Sequence, residues 1–151
     1  MEKQLNILEA TRKNILGTVK GLTLEELNKT PKGFNNNLIW NLGHVLVTQQ
    51  LLCYGLSGVP MKADNEIIAK YRKGTKPTDF VGEEEYSFIK LRLEQTIEEI
   101  KLDLSAGLFK EFKTYPTSYS VTLDSIEDAV VFNNVHEAMH LGYMMALKHA
   151  L

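Results

Sequence analysis

Between Glu83 and Ser105 the apolar residues Tyr86, Ile89, Leu93, Ile97, Ile100 and Leu104 recur every three or four positions, the period of a helix that buries one face. Glu83, Glu84 and Glu85 fill its first turn, where negative charge suits the helix dipole and reads as a solvated end. Three other segments carry the same period. One spans about Glu2 to Lys20, where Leu5, Leu8, Ile15 and Val19 form a stripe into which Arg12 intrudes. That arginine reads as a snorkelling side chain or, less simply, as an anchor for an anionic substrate. A second runs roughly from Asn36 to Leu56, with an N-cap among Asn35, Asn36 and Asn37 and a stop at Ser57-Gly58-Val59-Pro60. The last begins near Leu123 to Ser125 and is apolar round nearly its whole circumference from Ala129 to Leu147, which places it centrally or at a subunit contact. Four such helices bury their faces by packing on one another, so the expected fold is an all-α four-helix bundle.

The connections have their own logic. Thr23-Leu24-Glu25-Glu26 is a capping box that opens one short helical turn before Pro31 and Gly33 end it. Val59 to Gly82 is too long for a tight hairpin and holds a short helix over Asn65 to Tyr71, so it reads as a crossover between the second and third long helices. Gly107 to Thr122, rich in Tyr, Thr, Ser and Phe, is a second long connection with a strand-like excursion around Tyr119 to Thr122.

At 151 residues, residues 1–151 form a single domain large enough to bury a core without a disulfide or a structural metal. The 17 basic residues are scattered among 19 acidic ones for a net charge of −2, which leaves no patch for a phosphate backbone and excludes nucleic acid as the expected partner. The single cysteine, Cys53, cannot form an internal disulfide and reads as an inert buried thiol in a reducing compartment. Met1 to Leu5 lacks the pattern of a secretory leader, and Asn41, His44, Gln49 and Gln50 interrupt the most apolar stretch. A cytoplasmic protein that spans no membrane is expected.

The chemistry gathers in the last helix. His136-Glu137-Ala138-Met139-His140 spells H-E-x-x-H, and imidazoles four apart rise from neighbouring turns on one face, where they can share a divalent ion. Zinc peptidases with this pattern take a third ligand from downstream, yet no Asp or Glu follows His140, and His149 lies about 180° round the helix. The third donor is therefore sought upstream, and His44, in the middle of the second long helix, is the remaining histidine. Three imidazoles from two facing helices suit one divalent metal ion such as zinc or nickel. Glu137 points about 100° away from His136 and, with Asn41 and Asn133 each near one turn from a ligand, is a candidate to orient an imidazole or touch substrate. Trp40, Tyr143, Met139, Met144 and Met145 are assigned to core or to a dimer surface, and His149 to a surface cation.

The order of Trp40 and His44 on one helix, a long crossover, a third helix and a final helix with His136, His140 and Gly142 resembles the DinB-like, or YfiT-like, superfamily over essentially the whole chain. The resemblance implies an up-down-down-up bundle with two long crossover connections, frequent homodimers, and a divalent metal on the three histidines. Relatives in that superfamily include thiol S-transferases that use low-molecular-weight thiols such as bacillithiol, and a mycothiol-dependent isomerase. The functional expectation is a divalent-metal-binding protein acting on a small-molecule substrate, with thiol S-transfer first and a low-molecular-weight thiol as cosubstrate. A metal-dependent hydrolase and a non-catalytic binding or stress-related bundle are the alternatives.

Overall fold

The computed structural model describes residues 1–151. Its elements are α1 (Glu2–Val19), α2 (Leu24–Asn28), α3 (Leu38–Gln49) continued by a π-wound segment (Gln50–Gly55), α4 (Asn65–Tyr71), α5 (Glu83–Ser105), the strands β1 (Tyr115–Pro116) and β2 (Thr122–Leu123), and α6 (Ile126–His149). Helix starts are set locally. Asn37 caps α3 by accepting from the Trp40 amide at 2.9 Å, Asp64 and Ser125 do the same for α4 and α6, and Thr23 with Glu26 forms the capping box of α2. Both α1 and α3 pack against α5 and α6, which makes an all-α bundle of four long helices. No helix is long and apolar enough to cross a membrane.

Two apolar cores fill the bundle, and a polar layer separates them on every long helix. On α1, Arg12 stands between Leu8 of one core and Ile15 of the other; on α5, Thr96 stands between Ile100 and Leu93. On α3, Gln49 stands between Val47 and Leu52, and on α6 Asn133 and Glu137 stand between Val130 and Met144. The layer is tied together by its own hydrogen bonds, with Asn133 Oδ1 left without a partner. Arg12 donates to both Glu137 carboxylate oxygens at 2.9 and 2.7 Å, to the Leu93 carbonyl at 2.8 Å and to the Thr96 hydroxyl at 2.7 Å. Asn133 donates to Glu137 Oε1 at 2.8 Å, and Gln49 donates to the Thr96 carbonyl at 3.3 Å. A charge so desolvated is tolerable only with such partners. Arg12 is 1% exposed, so it neither snorkels nor meets substrate, and both readings of it from sequence are corrected.

Two further boundaries differ from the periodicity. The second long helix keeps its direction to Gly55 but leaves α winding at Gln50, where i→i+5 bonding such as Leu56 N–H to the Leu51 carbonyl at 3.1 Å takes over. Apolar spacing does not distinguish the two windings over so few residues. The strand-like excursion is a hairpin that starts earlier, with Tyr115 opposite Leu123 and Pro116 opposite Thr122, while Tyr119 sits in its turn. Thr117 sets that turn: its hydroxyl donates to the Val121 carbonyl at 2.7 Å and accepts from the Tyr119 amide at 3.2 Å. The α6 circumference divides as well. Ala129, Val130, Met144 and Leu147 are buried, while Val131, Val135, Met139 and Met145 are exposed.

Candidate metal centre

His44 from α3 and His136 and His140 from α6 converge, with one ligand nitrogen from each lying within 4.8 Å of the others, and this group could hold a metal ion. Their ring centroids are 4.4 to 5.1 Å apart. His44 Nε2 and His136 Nε2 stand 3.2 Å from each other. Two nitrogens bound tetrahedrally to one zinc at ~2.0–2.1 Å would be separated by about 3.3 Å, so the His44–His136 pair is spaced as two ligands of one ion, with a His140 nitrogen within 4.8 Å of both.

Proton positions follow from the neighbours. His44 Nδ1 lies 2.7 Å from the Tyr71 carbonyl, which can only accept, so Nδ1 carries the hydrogen and Nε2 presents a lone pair. Asn41 fixes His140 in the same way. Its amide nitrogen donates to Asn36 Oδ1 at 2.8 Å and to the Asn37 carbonyl at 2.7 Å, so the oxygen 2.8 Å from His140 Nδ1 must accept. Outer partners of this kind set tautomer and ring orientation in metal-binding histidines. His136 has no such partner, and its Nδ1 is buried without a hydrogen bond. With Nδ1 unpartnered the His136 proton is not fixed: Nε2 can donate to His44 Nε2 at 3.2 Å, or, with the proton on Nδ1, present a third inward lone pair, the form in which the three rings could hold a cation.

Electrostatics favour neutral rings. Burial lowers the proton affinity of His44, and the ammonium of Lys73 adds to this against the Tyr71 carbonyl. Burial followed by repulsion from the other two histidines brings His136 down to about 3, and burial with repulsion from His44 brings His140 to about 4. All three are unprotonated near neutral pH, the state a metal requires.

A family model for the DinB superfamily matches residues 7–144. The chain belongs to that superfamily. Comparison with curated proteins finds no match. Membership and the histidine cluster together describe a helical protein of the DinB superfamily with a possible metal site.

Of the residues that sequence placed near the ligands, Asn41 touches one, whereas Asn133 and Glu137 do not. Both belong to the polar layer, where Glu137 is 0% exposed and engaged by Arg12 and Asn133. The roughly 100° between consecutive helical residues turns Glu137 inward while His136 and His140 face a cavity, so orienting an imidazole or meeting substrate is withdrawn for this pair. Cys53 is buried on the same interior side, and burial pushes its thiol up to about 12.

Sequence reasoning missed the support for His44. The Tyr71 ring lies over Gly43, where an added Cβ would come within 2.5 Å of it, so only glycine admits that ring. The Tyr71 hydroxyl donates to Glu85 at 2.6 Å, and Lys70 pairs with the same carboxylate, so Glu85 is a latch for α4 and not merely a solvated first turn. This seats the carbonyl that orients His44. Trp40 stacks on a face of the His44 ring at 4.7 Å and 11°. A glycine inside a helical pattern was the available signal for this approach. Nothing in sequence ties Tyr71 to it.

Beside the histidines opens a cavity of about 550 Å³, within the size range of small-molecule sites. Leu51, Leu52 and Leu56 of the widened helix end, with Phe132 and Met139 of α6, give it an apolar wall. Thr48, Lys73 and the hairpin residues Tyr115, Thr117, Ser118 and Tyr119 supply the polar groups. The Tyr119 ring meets Phe132 edge-on at 5.5 Å, and its hydroxyl approaches Met139 sulfur at 3.2 Å, which seats the hairpin on α6.

Proposed function

We propose that this chain is a divalent-metal-dependent enzyme of the DinB superfamily whose ion is held by His44, His136 and His140, and that it transfers a thiol between small molecules. The convergence of three neutral imidazoles, two with their outer nitrogens tied off and one left unpartnered, carries this reading. Zinc and nickel suit an all-imidazole donor set. When bound, such an ion depresses the pKa of a coordinated thiol or water and so supplies a nucleophile near neutral pH.

The fate of Glu137 favours thiol transfer over peptide-type hydrolysis. Hydrolysis on an H-E-x-x-H helix uses that glutamate as general base. Here Arg12 and Asn133 occupy it, and no Asp or Glu lines the cavity. A metal held by His44, His136 and His140 would lower the pKa of a thiol enough for its proton to pass to solvent without a carboxylate base. The residues around it then act by placement: Trp40 and Tyr71 hold one ring, Asn41 holds another, and the apolar wall receives the acceptor.

Homodimerisation through α6 belongs to the same proposal, since Val131, Val135, Met139 and Met145 present exposed apolar surface along one helix. A reducing, cytoplasmic setting is consistent with the single buried thiol of Cys53. Metal analysis of protein prepared without a polyhistidine tag tests the centre. About one equivalent of zinc or nickel after reconstitution is expected, and less than about 0.2 equivalents would overturn the proposal in favour of a non-catalytic bundle. A screen of small thiols with an electrophilic acceptor then tests turnover, with equal rates in the parent and His140→Ala discarding the enzyme reading.

A further inference from the structure

The charge lining the cavity is of one sign. Among its lining residues the ionisable groups are the three histidines, two tyrosines and Lys73, with no carboxylate. Lys73 forms no ion pair and donates no side-chain hydrogen bond, whereas Lys62, Lys70 and Lys101 are each paired with an acidic residue. Its place is fixed by the chain. It follows Tyr71, whose carbonyl holds His44, by two residues, and Gly74 turns the chain immediately after it with a φ of 89°. The α4 end that orients one histidine therefore also presents the cavity's single ammonium.

The remaining lining divides in two. Leu51, Leu52, Leu56 and Phe132 offer only apolar surface. Ser118 and Tyr115 carry hydroxyl groups that make no hydrogen bond within the protein and can donate to a ligand. A cationic molecule would meet an ammonium here, plus any ion held by the histidines, with no counter-charge. An anion would meet the opposite.

Resting on the metal-dependent reading above, we propose that the substrate is an amphipathic organic anion. Its carboxylate is recognised by Lys73, its apolar body lies along the leucine and phenylalanine wall, and its reacting end is at the histidines. Lys73 acts as a specificity-determining residue, selecting by charge which small molecules enter. Because Lys73 is solvent-exposed, the selection weakens as ionic strength rises.

Matched probes test this. On zinc-loaded protein, calorimetry compares ω-mercaptoalkanoates of increasing chain length with ω-mercaptoalkanols and ω-aminoalkanethiols of the same lengths. The carboxylate series is expected to bind about fivefold more tightly than the alcohols, with the amines weakest. Lys73→Met is expected to abolish the carboxylate advantage while leaving alcohol affinity and zinc stoichiometry unchanged, and Lys73→Glu to reverse the order in favour of the amines. Simple alkanoates and alkanols on metal-free protein give the second arm. Failure to take up zinc with a Lys73-dependent alkanoate preference intact would sink the metal reading alone. Zinc uptake with no carboxylate preference in either arm, or a preference that persists in Lys73→Met, overturns the present inference.

Discussion

One five-residue stretch of α6 faces two environments, and the contrast between them separates a structural from a chemical site. Glu137 turns inward to a layer in which nearly every donor and acceptor is matched: two bonds from Arg12, one from Asn133, and Arg12 itself spent further on Leu93 and Thr96. His136 and His140 turn outward to a cavity, crowd a third base, and leave one nitrogen orphaned. Both groups are polar and largely desolvated. The first is closed by opposite charges; the second gathers three like groups, two of them with nitrogens 3.2 Å apart, an arrangement that suits a shared cation.

The largest expected effect breaks the closed side. Glu137→Ala strands a buried guanidinium and is predicted to lower stability by about 3–5 kcal/mol in urea unfolding, whereas Arg12→Met combined with Glu137→Leu restores most of that loss. If the single variant unfolds at the parent midpoint, the layer is not what fastens α1 to α6. Next, Gly43→Ala forces the Tyr71 ring off α3 and is predicted to cost about 1–3 kcal/mol through overpacking. Because Tyr71 carries the carbonyl that orients His44, the same variant weakens metal binding, which competition with a chelator measures.

On the open side, Asn41→Ala removes the acceptor on His140 Nδ1 and is predicted to reduce metal affinity about tenfold, with Asn41→Asp retaining it. An unchanged affinity in Asn41→Ala would make that hydrogen bond incidental. The smallest effect is on acid stability of the metal-free protein. His136 and His140 bind protons less readily folded, at about 3 and 4, than unfolded, near 6.5. The unfolded chain therefore takes up more protons between those values, and stability is predicted to be complete above about pH 6.5 and to fall progressively as pH drops towards 3. His136→Gln should flatten part of that slope in denaturant midpoints measured across the range.

Sequence carried the all-α bundle because four helical stripes and their stop signals are local properties, and it brought His44, His136 and His140 together because spacing on α6 left few places for a third donor. It singled out Asn41 as one turn from His44, yet the imidazole Asn41 meets is that of His140 on α6, and the same spacing argument misled on Asn133. That reasoning counts residues along a helix but does not know which arc faces the neighbour: Asn41 is turned towards α6, whereas Asn133 is turned towards Arg12. The Arg12–Glu137 pair joins residues 125 apart, and no local pattern reports such a match. Likewise, the Tyr71 carbonyl is a backbone group, invisible to any search for functional side chains.

The winding change at Gln50–Gly55 has a consequence for how this cavity can vary. A π turn holds about one more residue than the α turn it replaces, so loss of a single codon there would let the helix rewind to α winding while everything beyond it keeps nearly the same facing. The wall that Leu51, Leu52 and Leu56 now form would be narrowed by the residue lost from that turn, although the histidine on the preceding turns would keep its place. Length variation at this one point is thus a route by which descendants of this chain could exchange the ligand they accept while leaving the coordinating groups untouched.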